Sequence, residues 1–302
     1  MNIIEKVINK NISRAYSDFR ISCRLIDRGN TVEKFELNPN KKCHLASVCK
    51  LFALVGVLYL SQNHVLNLET KYILTDEDII EGQFILGNLH PGIELTLLDL
   101  TRLMVVGYDT FAYDIIFNNY LDKDLNRLFK KFGLFNTNIS YSILDINLIL
   151  SNLYNTENSA KISWGSLFDN IPDVLDEAIH LDINEYNYST VGDISTLFDK
   201  LINCKILNAQ YWSIAEDILL SQYDATRIPA KLPDKLASSV GHQIGTITDG
   251  ESYQVINDCG FIKLSSIRYL VLNFFCCNIR DSRTTINDII SSTTSEIVDA
   301  FS

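Results

Sequence analysis

Residues 44–51 read HLASVCKL and place Ser47 three positions before Lys50. The apolar pattern that follows continues nearly all round to Leu60, which predicts a helix buried inside the protein. Because residues three apart on a helix share a face, the hydroxyl and the amine are expected to be neighbours. Burial disfavours the ammonium form of a lysine, so Lys50 is predicted to act as the base that makes Ser47 a nucleophile.

The same pattern has a purely structural interpretation, in which Ser47 caps the helix and Lys50 extends to solvent. Ser-x-x-Lys is a weak motif by itself, although Ser47 is the only serine in this chain with a lysine three residues later. The motif alone therefore leaves both interpretations open.

Composition excludes some classes of function. The chain has 302 residues, 47% of them hydrophobic, and a formal net charge of -11. A chain of this length and composition can bury a sizeable hydrophobic core. Its negative net charge would repel nucleic acid and anionic membranes. The first sixteen residues lack the continuous apolar stretch of a secretory signal, and no apolar run is long enough to span a bilayer. We therefore predict a cytoplasmic protein with no nucleic-acid or membrane partner.

The seven cysteines are an odd number without Cys-x-x-Cys spacing, which favours reduced thiols over a disulfide framework. Cysteine and histidine are too scattered to predict a zinc site, and we expect neither a metal nor a cofactor. The adjacent Cys276 and Cys277 lie in an apolar run and are predicted to pack in the core of a strand.

Apolar periodicity predicts a mixed α/β protein in which the two ends of the chain build one sheet. Helices are predicted at residues 3–18, 97–106, 111–120, 125–132, 194–202, 211–221 and 284–301, in addition to the one that begins near Ser47. Strands are predicted at residues 21–27, 31–38, 240–248, 254–264 and 266–276, with a turn at residues 28–30.

Further segments follow the Ser47 motif in a characteristic order. They are residues 82–104, the triplet Tyr108-Asp109-Thr110, STVGD at residues 189–193, RIPAKLP at residues 227–233, HQIG at residues 242–245 and NDCG at residues 257–260. This ordered set resembles the class A β-lactamase and penicillin-binding family over about residues 20–277. The resemblance implies a single β-lactamase-like domain over residues 1–302, with an antiparallel sheet flanked by N- and C-terminal helices. The sheet region would comprise residues 1–45 and 235–302, and an all-helical subdomain would comprise about residues 46–234.

The resemblance also assigns roles to residues that depart from the family pattern. Tyr108 would replace the serine that relays a proton to the leaving group, although it could instead be a packed aromatic residue at a loop. Thr110 would replace a substrate-binding asparagine. Gln243 would replace the lysine that binds the substrate carboxylate, with His242 or Arg227 as a substitute cation. Gly245 is retained, and the N–H of Thr246 would join that of Ser47 in binding the oxyanion.

The glutamate that activates water in class A β-lactamases has no clear counterpart. Direct counting reaches Leu175 or Pro172, and a two-residue deletion would place Glu177 there. Without a carboxylate, an acyl-enzyme would hydrolyse slowly.

Three functions remain open on the sequence. The first is a serine acyl hydrolase or acyltransferase that acts through Ser47 on a small amide or ester. The second is a noncatalytic descendant that binds a ligand in the same cleft, and the third is a true β-lactamase.

Overall fold

The computed structural model describes residues 3–78, 84–121, 125–150, 185–248 and 253–301. Its described strands are β1 (Asp18–Asp27), β2 (Asn30–Leu37), β3 (Cys43–His44), β4 (Lys71–Ile73), β5 (Glu94–Thr96), β6 (Tyr188–Ser189), β7 (Val240–Thr248), β8 (Tyr253–Ser265) and β9 (Arg268–Cys277). Its described α-helices are α1 (Ile3–Ile12), α2 (Cys49–Gln62), α3 (Leu97–Val105), α4 (Thr110–Ile116), α5 (Leu125–Phe132), α6 (Ile143–Leu150), α7 (Val191–Ile202), α8 (Ala209–Leu220), α9 (Asp234–Ala237) and α10 (Arg283–Phe301).

The two ends of the chain form one antiparallel sheet, as the sequence predicts. Its five strands lie in the order β2-β1-β9-β8-β7, so that β7 is an edge strand. The terminal helices α1 and α10 cover one face with residues such as Ile4, Ile8 and Ile290. Helix α2 packs on the other side of the sheet within a second apolar cluster. The sheet therefore separates two apolar layers.

Strand alternation sends adjacent residues of β9 into different layers. Cys276 packs in the cluster of the terminal helices, whereas Cys277 packs in the cluster that contains α2. Both side chains are buried, which confirms the prediction that this pair lies within a core strand.

Several predicted boundaries need correction. The first helix ends at Ile12 instead of residue 18, because the N–H groups of Tyr16 and Ser17 donate to the carboxylate of Asp281 at 2.9 and 2.8 Å. The helix expected at residues 111–120 is α4 followed by one π-helical turn at Phe117–Leu121. By contrast, α5 and β7 have the predicted bounds.

Helix α2 is buried nearly all round, which explains why its sequence lacks a polar face. Among the described helices, none combines the length and the apolar character needed to cross a bilayer.

Candidate active site

Ser47 lies in a tight 3-10 turn at Ala46–Val48 instead of in the first turn of the α-helix. Ala46 has a left-handed backbone conformation with φ of 49°, and its N–H donates to His44 Nδ1 at 2.8 Å. Burial lowers the pKa of His44 to about 4, so the neutral imidazole can accept this bond. The turn leaves Ser47 half-buried between buried neighbours.

Lys50 is fixed in the first turn of α2 by two uncharged oxygen atoms. Its Nζ donates to the carbonyl of Tyr108 at 2.7 Å and to Thr110 Oγ1 at 3.5 Å. The side chain is 1% exposed. Burial lowers the pKa of Lys50 to about 8, against the opposing effects of Cys49, Asp109 and Asp114. A pKa of about 8 leaves roughly a tenth of the lysine neutral at pH 7.

Asp109 fixes the loop that supplies the Tyr108 carbonyl. Its buried carboxylate accepts N–H bonds from Ile85 at 2.9 Å, Leu86 at 2.8 Å and Ala112 at 3.0 Å. The last bond caps α4. Tyr108, directly before this cap, has φ of 53°, a conformation that is uncommon for residues other than glycine. The middle residue of the triplet thus acts as an anchor, a role that the sequence analysis did not assign.

Gly245 permits a close approach between β7 and the nucleophile turn. A Cβ atom at this position would lie 2.7 Å from the carbonyl oxygen of Leu45 and 3.1 Å from Ala46 Cβ. From the next strand, Asn257 Nδ2 donates to the carbonyls of His44 and Leu45 at 2.9 and 3.3 Å. The turn is therefore held directly against β7 and β8.

A cavity of about 230 Å³ opens beside Ser47. Its lining includes Ser47, His44, Ile143, Asn147, Asn187 and Thr246. Two residues predicted for the site, Ser47 and Thr246, share this cavity. Lys50, Tyr108, Thr110, Gln243 and Gly245 are not part of its described lining.

Residues 3–301 match the model described as the β-lactamase enzyme family. This chain belongs to the β-lactamase enzyme family. The membership confirms the resemblance that the ordered motifs predict.

Solved structures of this fold are similar over the full chain. A β-lactamase from Chitinophaga pinensis is 18% identical with a TM-score of 0.78, and the match covers 100% of both chains. A class A β-lactamase from Bacteroides cellulosilyticus is 16% identical with a TM-score of 0.76, covering 99% of this chain and 96% of the other. A PBP-A variant in an acyl-enzyme complex with penicillin G is 17% identical with a TM-score of 0.71, again covering 99% and 96%. These likenesses establish the β-lactamase fold. No curated protein sequence matches the chain significantly.

In this β-lactamase-family protein, the Tyr108 side chain packs against a second tyrosine. Its ring makes an edge-on contact with Tyr223 at a centroid distance of 5.4 Å. Burial, together with the nearby carboxylates of Asp224 and Asp258, raises the pKa of Tyr108 well above its usual range. The hydroxyl therefore stays protonated at neutral pH, as a proton donor must.

Gln243 is buried on β7, where its amide is bound by the protein. Its Oε1 accepts from Gln222 Nε2 at 3.2 Å, and its Nε2 donates to the carbonyl of Ile244 at 3.1 Å. The position at which the family carries a lysine is thus neutral and internally hydrogen-bonded.

The two candidate substitute cations differ in their placement. Arg227 Nη2 donates to Thr246 Oγ1 at 2.6 Å, at the wall of the cavity, and Nη1 donates to the carbonyl of Asn257 at 2.5 Å. Burial lowers the pKa of Arg227, opposed by Asp258 and Asp224. His242 Nδ1 instead lies 2.8 Å from Asp258 Oδ1, and both side chains are buried. Arg227 is the one of the two that reaches a residue lining the cavity.

Nine of the eleven residues that line the described cavity were not predicted for the site from the sequence, among them His44, Ile143, Asn147 and Asn187. Asn187 joins two loops, because its Oδ1 accepts from the N–H groups of Ser140 and Tyr141 at 2.9 and 3.1 Å. Nothing in the local pattern distinguishes Ile143 and Asn147 from other residues of an apolar helix. Glu177, Leu175 and Pro172, the candidates for the water-activating position, lie outside the described residues.

Proposed function

We propose that this protein is a serine acyl hydrolase or acyltransferase that forms an acyl-enzyme on Ser47 with a small amide or ester. The observation that carries the proposal is the environment of Lys50. This side chain is buried one helical turn from Ser47, its pKa is about 8, and both its hydrogen-bond acceptors are uncharged. These are the conditions under which a lysine acts as a base.

In the proposed reaction, neutral Lys50 takes the hydroxyl proton of Ser47, and the Ser47 oxygen attacks the carbonyl carbon of the substrate. The N–H groups of Ser47 and Thr246 bind the oxyanion that forms on the carbonyl oxygen. The bond to the leaving nitrogen or oxygen then breaks, and the Tyr108 hydroxyl donates a proton to it. Lys50 returns its proton to the tyrosine, which leaves the acyl group as an ester on Ser47.

The substrate proposed here lacks the carboxylate of a typical β-lactam. Gln243 offers no charge, so the charge-assisted bonds of the family lysine, about 1.5–3 kcal/mol each, are missing at this position. Thr110 would contact the substrate in place of the family asparagine. The side chains of Thr246, Asn147 and Asn187 around Ser47 suit a neutral amide or ester.

Hydrolysis of the acyl-enzyme requires an activated water. The described lining of the cavity includes neutral side chains such as Ile143 and Asn147 next to Ser47. Slow hydrolysis or transfer to another acceptor is therefore expected unless Glu177 supplies a carboxylate.

A noncatalytic binding protein is the second candidate. The noncatalytic function is supported by the hydrogen bond between the Gln243 and Gln222 amides. This bond engages the side chain of a family motif with the protein instead of with a substrate. A true β-lactamase is favoured by one observation, the bond from Arg227 to Thr246, which brings a cation to the cavity wall.

Intact-protein mass spectrometry tests the proposal after incubation with a fluorophosphonate and, separately, with penicillin G. We expect an adduct of one probe mass with at least one reagent, absent in Ser47→Ala. Folding of the variant is checked by circular dichroism. If the folded natural protein forms no adduct and does not consume penicillin G, the noncatalytic function is the better account.

A further inference from the structure

One face of helix α6 contributes branched aliphatic side chains to the cavity that holds Ser47. Ile143, Ile146 and Asn147 line this cavity, and their spacing of three and four residues places them on the same face of the helix. Strand β7 adds Ile247 from a distant part of the chain. A helix and a strand thus place isoleucine side chains in the same cavity as the nucleophile.

Asp114 fixes the start of α6. Its buried carboxylate accepts the N–H of Ile143 at 2.7 Å and that of Leu144 at 3.0 Å. Asp114 belongs to α4, which begins at Thr110, and the Thr110 hydroxyl accepts a hydrogen bond from Lys50 Nζ. The same helix therefore holds the predicted base and the isoleucine face, so this face has a defined position relative to the nucleophile.

Polar side chains of the described lining use hydrogen bonds within the protein. Asn187 Nδ2 donates to the carbonyl of Tyr141 at 2.7 Å, and Asn147 Nδ2 donates to the carbonyl of Ile143 at 2.9 Å. His44 is neutral because burial lowers its pKa to about 4. In the part of the lining that the structure describes, no side chain is charged at neutral pH. A charged substrate group would lose hydration here without gaining an ionic partner, whereas a hydrocarbon group would gain apolar contacts.

The cavity is large enough for a short hydrocarbon chain. Its volume is about 230 Å³. Since an apolar cavity of about 150 Å³ holds a benzene molecule, the space beside Ser47 suits an acyl group of roughly four to six carbons. Each methylene group that becomes fully buried raises affinity by about fourfold. Chain length should therefore have a measurable effect on binding.

We propose that the acyl group accepted by Ser47 is an uncharged aliphatic chain of roughly four to six carbons, and that Ile143 and Ile146 determine this preference. The inference rests on the proposed acylation of Ser47 and specifies the part of the substrate that the cavity holds. In that reaction, the Ser47 oxygen forms the ester bond with the acyl carbon, and the alcohol or amine of the substrate leaves with the proton.

Binding of simple amides tests the preference without chemistry at the nucleophile. The probes are acetamide, hexanamide and adipamic acid, which has the hexanamide chain with a terminal carboxylate, and their affinities for Ser47→Ala are measured by ligand-observed NMR. Hexanamide should bind at least about tenfold more tightly than either other probe. Adding Ile143→Ala or Ile146→Ala should weaken hexanamide binding by about threefold to tenfold. Leu144→Ala is the matched control, because Leu144 lies on the same helix but outside the described lining.

Ester reactivity separates this inference from the proposed function. Intact-protein mass spectrometry follows acylation of the natural protein by p-nitrophenyl acetate and p-nitrophenyl hexanoate. The hexanoyl adduct should form at least about tenfold faster than the acetyl adduct, and Ile143→Ala should reduce this ratio. Ile143 is only half-buried, so this variant decides the question if Ile146→Ala does not fold.

The two measurements fail in different ways. A preference for hexanamide with no acyl adduct on Ser47 would refute the proposed acylation and leave the assignment of the cavity intact. Equal affinities for acetamide and hexanamide, or tighter binding of adipamic acid, would overturn the inference whether or not Ser47 is acylated. Equal rates of acylation by the two esters would also overturn it.

Discussion

The nucleophile turn and strand β7 form two walls of one cavity, and they carry charge in different ways. Beside the turn, the ionisable group is Lys50 of α2, which is buried and held by the Tyr108 carbonyl and Thr110. On β7, Gln243 is neutral, and the guanidinium of Arg227 lies behind the strand. A titratable lysine lies behind the turn, whereas the side chain on β7 at the position of the family lysine is neutral; neither Lys50 nor Gln243 belongs to the described lining of the cavity.

Burial explains how both walls are stable. A buried lysine is tolerated at the turn because its pKa falls and it can become neutral. Arg227 cannot easily lose its proton, so its charge is matched by nearby Asp258 and Asp224 and by several hydrogen bonds. Because different residues would serve them, proton transfer to or from Ser47 and the binding of a charged substrate group can change independently in this fold.

Removing the base should give the largest effect. Lys50→Met preserves most of the buried volume and removes the amine, so the acylation rate of Ser47 should fall by about 10²- to 10⁴-fold. This rate is measured by mass spectrometry of samples that are quenched at successive times after the fluorophosphonate is added. Lys71→Met, at an exposed lysine on β4, serves as the control and should leave the rate unchanged. An unchanged rate in a folded Lys50→Met would exclude Lys50 as the base.

Restoring a cation on β7 should change substrate preference. Gln243→Lys should raise acylation by penicillin G relative to a neutral ester by about tenfold to a hundredfold, which corresponds to about 1.5–3 kcal/mol for a charge-assisted bond. Gln243→Met is the matched neutral control. Equal changes with the charged and the neutral substrate would contradict the proposed role of this position.

Forcing β7 away from the nucleophile turn should lower the stability of the protein. Gly245→Ala would place a methyl group 2.7 Å from the Leu45 carbonyl, so the free energy of unfolding should fall by about 1–3 kcal/mol. Urea denaturation measures this change. Thr248→Ala, at an exposed residue of the same strand, should change it by less than about 0.5 kcal/mol. Similar stabilities of the two variants would mean that the close approach is not required.

The pH dependence should show the smallest effect. Lys50 acts as a base when neutral, so acylation should be lost as pH falls below its pKa of about 8 and should rise about tenfold from pH 7 to pH 9. The folded protein also binds fewer protons than the unfolded chain between about pH 8 and 10.5, so Lys50 makes the free energy of unfolding rise with pH in that window. Rate profiles from pH 6 to 10 test this, and Lys50→Met should lack the step. A rate that is already constant from pH 6 would contradict a base with this pKa.

Local pattern predicted some elements better than others. Helix α5 and strand β7 have the predicted bounds because their apolar spacing is unambiguous. The helix predicted at Ser47 begins instead with a 3-10 turn, and the first helix ends before Ser13. In the second case, the bonds to Asp281 come from the far end of the chain, so no local pattern could reveal them.

The sequence alone determined the spacing of Ser47 and Lys50, the order of the family motifs and the alternation of the strands. Each of these depends on residues that are close in the chain, where helix and strand geometry fix the separation. Only the tertiary structure decided that Lys50 meets the Tyr108 carbonyl and that Arg227 reaches Thr246. These contacts join distant parts of the chain, and their distances follow from how α2 packs against the sheet that contains β7.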